Sequence, residues 1–294
     1  MMILGDKVKK ARKAKGLSQK EVAHGICTQA TISQMENHNK VPTMSIFVKI
    51  CNRLEVSQAD ITSENDSEMN YLAFYEIDQL CKKRKYQEAY TILTESIDEK
   101  KLKNDSDQKK YYYFLGIINL FSLKNGEEAL FYFNLALTLD SAKELAELDI
   151  LLTNNIGIVY ELKQDVQKAK VYYDKSLEDI HKIKDKLNDN FDEITGIYFN
   201  VAKFYSKCHE YHKAIRLIET GMDISIHSAN YHLLDSLLYE KGLNRYKLEK
   251  SVSEEISKDY TLSYALGLMN ANQELTQVIE QDALEFGINS FNFF

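Results

Sequence analysis

Four segments of this chain end alike, and their spacing restricts the fold more than any other feature. KKRKYQEAYTILTESI, LKNGEEALFYFNLAL, LKQDVQKAKVYYDKSL and SKCHEYHKAIRLIETGM align on Ala89, Ala129, Ala169 and Ala214, at intervals of 40, 40 and 45 residues. Small residues stand in the preceding helical runs at Gly116, Gly157 and Ala202, and again at Gly242 in a fifth run. A hairpin of two such helices cannot bury its apolar stripes alone, so neighbouring hairpins must stack. One Pro and 11 Gly in 294 residues leave little to interrupt helices. The chain is therefore predicted to be all-α.

The repeats resemble the tetratricopeptide type, in which a small residue on the first helix meets an Ala on the second. Tyr160 and Tyr205, three positions after Gly157 and Ala202, fit the same pattern. The resemblance implies about five degenerate helix pairs in a right-handed superhelix, with the first helices lining its concave face. The fifth pair begins near Leu233, and its second helix lacks the motif alanine. Residues 252 to 294 are expected to cap the array, with Phe291, Phe293 and Phe294 in a capping or dimer contact.

Ahead of the repeats, Ser18 to Asn37 has the layout of two short amphipathic helices joined by a tight turn. Gln19, Val22, Ala23 and Ile26 recur at helical steps; Thr28 and Gln29 start a second run in which Ile32 and Met35 face inward. Gly16 closes an earlier helix, Leu4 to Lys15, and Ser18 caps the next. The outward residues of the second run, Gln29, Ala30, Thr31 and Gln34, have sizes and hydrogen-bonding groups suited to base edges in a major groove. A fourth helix over Ser45 to Leu54 and a short fifth over Ser57 to Ile61 complete a five-helix bundle. This gives a reader over residues 1–62, a polar linker over 63–70 and the repeat part over 71–294.

Residues 4 to 61 resemble the lambda-repressor/Cro type of helix-turn-helix domain, through RKAKGLSQKEVA, TISQMEN and VPTMSIFVKICNRLEV in that order. The resemblance implies a phosphate contact for Gln19, with Lys20, Asn37, Lys40 and Arg12 adding further backbone contacts. Ile26 and Cys27 stand at the turn where many members have a Gly, a departure shared by the peptide-responsive regulators resembling PlcR.

Charge divides the chain in the same place. Up to residue 62 there are 10 Lys/Arg against 5 Asp/Glu; the remainder holds 27 against 39, of chain totals of 37 and 44. A basic head can displace counterions from phosphates, whereas the acidic body is repelled by DNA. No apolar run is long enough to span a bilayer and the N-terminus lacks a secretory pattern, so a cytoplasmic location is expected. Cys27, Cys51, Cys81 and Cys208 are far apart and are expected to be reduced. No phosphate-cradling glycine loop, zinc-ligand spacing or nucleophile elbow is present, so neither catalysis nor a cofactor is expected. His209 and His212 lack the further ligands a metal site requires.

Asparagine is a poor helix former, and its recurrence inside the first helices needs a reason. Asn154 and Asn155 precede Gly157, Asn200 precedes Ala202, Asn119 follows Gly116 and Asn244 follows Gly242. A side-chain amide offers a donor and an acceptor, which complements a peptide backbone. Each of these residues has a plainer alternative, a local bond to its own helix. Taken together, the reader and the repeats resemble the quorum-sensing regulators that include PlcR, the Rgg proteins, PrgX and NprR. The resemblance implies signalling-peptide binding at Asn154 and Asn200, and Lys203 and Lys241 stand near the same line to receive a carboxylate. Expected partners are a short peptide, double-stranded DNA with a pseudo-palindromic operator, and a second copy of the chain, because one recognition helix covers too few base pairs. Two other functions fit the same layout: a phage-type repressor whose repeats only mediate oligomerisation, and a scaffold or inhibitor that holds a protein partner.

Overall fold

The computed structural model describes residues 3–40, 42–61, 66–139, 145–183, 193–228 and 230–288, and among them it is helical throughout. Its two compact units comprise residues 1–143 and 144–294.

The first unit opens with the reader: α1 (Gly5–Ala14), α2 (Gln19–Ala23), α3 (Gln29–His38) and α4 (Met44–Leu54). The expected fifth helix is a single 3-10 turn, Gln58–Ile61. Ser18 forms a capping box with Glu21, and Thr28 and Thr43 cap α3 and α4 by accepting from the N–H of Thr31 and Ile46. The backbone N–H of Leu4 donates to the carbonyl of Ile61 at 2.8 Å, which ties the start of the reader to its end. Ile3, Val8, Val22, Ile32, Met35, Phe47 and Ile50 form its apolar centre, each fully buried.

Two hairpins complete this unit: α5 (Asp66–Lys82) with α6 (Tyr86–Ser96), and α7 (Asp105–Phe121) with α8 (Gly126–Thr138). The polar stretch expected to be a linker is already helical from Asp66. Nor is the reader a separate globule, because its buried residues form one cluster with Ala73, Phe74, Ile77, Ala89 and Ile92 of the first hairpin.

The second unit contains α9 (Glu147–Leu162), α10 (Val166–Ile183), α11 (Glu193–Lys207), α12 (Tyr211–His227), α13 (Leu234–Glu249), α14 (Glu254–Met269) and α15 (Gln273–Phe286). Helices pair in sequence, α9 with α10, α11 with α12 and α13 with α14, and α15 follows on α14 as a cap. The tail from Phe291 to Phe294 lies outside the described residues.

The packing rule differs in one respect from the expected one. A Cβ on Gly157 would stand 2.9 Å from the Tyr173 ring, one on Gly242 would stand 2.7 Å from Tyr260, and Gly116 is filled in the same way by Phe133. Each of these three glycines therefore receives a bulky ring; in two pairs that ring lies one turn beyond the motif alanine, which is itself fully buried. The fifth pair is complete by this criterion, since Ile256 stands one turn before Tyr260 and takes the alanine's place at 0% exposure.

Each hairpin turn uses one left-handed residue that is not Gly: Arg84, Lys124, Gln164, His209 and Lys250, with φ between 52° and 62°. The first four precede the motif alanines by five positions each. The turn repeats in phase with the core even though no glycine marks it.

Candidate functional site

Recognition helix α3 leaves Gln29, Ala30 and Gln34 exposed, and Thr31 half-buried. The Thr31 amide donates to Thr28 Oγ1 at 3.3 Å, and the two hydroxyls are 2.9 Å apart. Gln29 is held as well as exposed. Its Nε2 donates to Gln19 Oε1 at 2.6 Å, and Gln19 Nε2 donates to Glu36 Oε2 at 2.8 Å. Glu36 also accepts from Arg12 Nε at 2.5 Å and Nη2 at 2.9 Å, while Arg12 Nη1 donates to the Leu17 carbonyl at 2.8 Å. A chain of hydrogen bonds thus runs from a buried ion pair to the first residue of the recognition helix, fixing the amide that faces outward.

Arg12 accordingly differs from its expected role. Its guanidinium is turned inward onto Glu36, leaving its side chain 11% exposed and that of Glu36 at 0%. It anchors the hydrogen-bonded chain that ends at Gln29. Burial pushes the Glu36 carboxyl up, but the Arg12 guanidinium, the Gln19 amide and the field of Lys9 outweigh it and hold the group below its ordinary value. The same hydrogen bond raises Arg12 despite its burial. Of the other expected phosphate contacts, Lys20, Asn37 and Lys40 are exposed, with Asn37 Nδ2 donating to Ser33 Oγ at 3.1 Å, and Gln19 is half-buried.

Two organisers of this face carry no local signal in the sequence. Glu36 lies 24 residues from Arg12. Arg53, on α4, donates through Nη1 to the carbonyls of Glu21 at 3.2 Å, Val22 at 2.9 Å and His24, closing the end of the five-residue α2. The positive φ of the turn belongs to Gly25, at +71°, one residue before the position where a Gly was sought.

In the second unit, α11 lies against both α9 and α13. Asn200 Nδ2 donates to Asn154 Oδ1 at 3.1 Å, and Asn154 Nδ2 donates to Ser176 Oγ at 3.4 Å. Ser176 Oγ in turn donates to the Tyr173 carbonyl at 2.7 Å. Asn154 is buried and anchored on α10, whereas Asn200 is half-buried. The remaining asparagines follow the plainer alternative. Asn155, Asn119 and Asn244 donate to the carbonyls of Leu151, Leu115 and Glu240, four residues back, at 2.8, 2.9 and 2.7 Å. Asn119 also belongs to the other compact unit, and Asn244 is fully buried with Oδ1 unpartnered among the described residues.

The two lysines differ. Lys241 Nζ stands 3.5 Å from Glu219 of α12, with its side chain only 15% exposed. Lys203 extends over the Phe199 ring, its Nζ 5.2 Å from the centroid. Glu240, which sequence patterning did not single out, is buried on α13. Burial pushes its carboxyl up, against the fields of Lys203, Lys247 and Lys207. The second unit therefore holds a partly open side-chain amide at Asn200 and a buried acid, Glu240, in the field of three lysines. No described helix is long and apolar enough to cross a membrane.

Comparison with known proteins gives two family matches. The RNPP family C-terminal domain matches residues 74–283, and a helix-turn-helix model matches residues 8–59. No curated protein matches the chain. Among solved structures, Bacillus thuringiensis PlcR in complex with the peptide PapR7 and DNA is similar at 21% identity and a TM-score of 0.60, covering 94% of this chain and 99% of that one. The apo form of the same protein gives 17% identity and a TM-score of 0.64, covering 95% and 98%. ComR from S. thermophilus, in complex with DNA and its signalling peptide ComS, gives 14% and 0.52, covering 97% and 99%. At these identities the likeness is one of fold.

Proposed function

The chain belongs to the RNPP family of transcription regulators, and from that premise we propose that it is a cytoplasmic regulator whose DNA binding is controlled by a short signalling peptide. Residues 1–62 act as the reader, and residues 71–294 as the sensing and dimerisation part. Gln29, Ala30, Thr31 and Gln34 meet base edges; Gln19, Lys20, Asn37 and Lys40 meet phosphates. Two copies are needed, because a single recognition helix reads too few base pairs for specific affinity.

One observation carries the sensing half. Asn200 spends one amide proton on Asn154, and its carbonyl oxygen and second amide proton have no partner among the described residues. Those two groups, held at one orientation by a buried partner, match the N–H and C=O of one extended peptide unit. Lys203 supplies a charge for a carboxylate nearby. Asn155, Asn244 and Lys241, already engaged within their own helices or with Glu219, support the site's shape instead, and Asn119, bonded to its own helix, belongs to the other compact unit. The fold relatives solved with DNA and a peptide support the same reading.

The test is calorimetry of the full chain with a fraction of short secreted peptides from producing cells. Heat of binding that disappears in Asn200→Ala, with DNA affinity in the absence of peptide unchanged, is expected. Binding that is unaltered in the variant removes Asn200 from the site. No uptake of any peptide leaves a repressor whose repeats only assemble it.

A further inference from the structure

Helix α4 follows the recognition helix, and its first turn is closed from outside the reader. The Ser45 N–H donates to both carboxylate oxygens of Glu76 on α5, at 2.9 Å each, while Thr43 Oγ1 accepts from Ile46 N–H at 3.4 Å. A helix start carries free N–H groups and a partial positive charge, so a carboxylate from a neighbouring element satisfies both. At the other end of α4, Asn52 Nδ2 donates to Glu95 Oε2 of α6 at 3.4 Å. Between these ties, Phe47, Ile50 and Cys51 share a buried cluster with Phe74, Ile77 and Leu93.

Contacts at both ends and along the middle of α4 oppose its rotation against α5 and α6. The packing is uneven, however. Beside Ser45 a cleft of about 450 Å³ opens between Pro42, Met44, Leu72, Tyr75 and Leu80. Met44, Phe47 and Val48 bury one side of this end in the same cluster, and on the side of the cleft the Glu76 carboxylate is what ties its free N–H to α5.

We propose that Glu76 is a positioning residue that joins the reader to the first helix pair, so that the two turn as one body and the reader is aimed by α5 rather than tethered by a free linker. This goes beyond peptide control of DNA binding, because it concerns how the reader is held whatever the ligand is. The consequence for regulation is that a change in the repeats reaches the reader as a rigid-body displacement of α5.

The test uses the full chain with spin labels at the exposed Lys10 and Lys124, attached by non-cysteine chemistry because four native cysteines are present. Distance distributions are measured by pulsed electron resonance without DNA or peptide, so failure here leaves the sensing proposal standing. The native protein is expected to show one narrow peak. Glu76→Ala is expected to lose it to a broad distribution while helix content by circular dichroism is unchanged, and Glu76→Gln, which keeps one acceptor, to fall between. A broad native distribution overturns the proposal, as does a Glu76→Ala peak as narrow as the native one. Should Glu76→Ala lose its helix content, Glu76→Gln decides by the same criterion: a native-like peak overturns the proposal and a broadened one upholds it.

Discussion

Replacing Arg12 by Ala tests the organisation of the reading face at its root. The substitution removes the bidentate partner of a carboxylate whose side chain is fully buried. Breaking a buried pair from one side costs about 3–5 kcal/mol, because the remaining charge keeps its desolvation penalty. Glu36 retains the Gln19 amide at 2.8 Å, which places the loss near the lower end, about 3 kcal/mol. Global unfolding is a poor measure in a chain with two compact units. Amide exchange in α1 to α3 reports the reader directly, and at that cost it should quicken by roughly a hundredfold. The double variant Arg12→Met with Glu36→Leu should recover most of the loss, since apolar groups of similar volume replace such pairs at little cost.

The pH dependence has a definite sign. In the native chain Glu36 titrates below its ordinary value, so its contribution is complete above the unfolded pKa and disappears as pH falls through the lower folded one. Without Arg12 burial prevails and the folded pKa rises, so protonation relieves the variant first. Native and variant exchange rates should therefore converge on acidification. Unchanged exchange at neutral pH, or a gap that widens in acid, would refute the buried-pair account.

Other consequences concern other residues. Gln29→Ala should alter base preference by about 1–3 kcal/mol at one position, whereas Lys20→Ala and Lys40→Ala should weaken all duplexes alike and each reduce the salt slope by about one; binding-site selection with salt titration separates them. Gly157→Ala should destabilise α9 and α10 by roughly 1–3 kcal/mol in amide exchange, since the new Cβ meets a Tyr173 ring whose hydroxyl is fixed on Glu161 at 2.6 Å. Unchanged exchange in these two helices would show that the ring has room to move. Gln164→Gly, at a left-handed turn with φ of 61°, should stabilise by about 0.5–1 kcal/mol after the entropy of Gly in the unfolded chain is deducted.

The features legible in the sequence share a local cause. Ser18 and Thr28 announce their caps, and Ala89, Ala129, Ala169 and Ala214 mark the buried line of each hairpin because helical periodicity repeats within a few residues. Long-range pairings leave no such trace. Nothing near Arg12 indicates that Glu36 will take its charge, and nothing near Ser45 indicates Glu76. The hairpins are legible but the left-handed residue in each turn is not, because five residues other than Gly adopt that conformation. Asparagine illustrates both sides. Its rarity in helices drew notice to five positions, yet only Asn154 and Asn200 join different helix pairs, while three spend their amides on the carbonyl one turn back.

Control of DNA binding by a peptide is most directly tested by titrating the full chain onto its operator, selected from random duplexes, with and without the secreted short-peptide fraction. Coupling between two such sites is typically 1–3 kcal/mol, so the midpoint is expected to shift by about 5- to 150-fold in the native chain. In Asn154→Ala and Asn200→Ala the midpoint is expected not to shift. A native midpoint that no peptide moves, or a shift that survives both substitutions, would contradict control through this face.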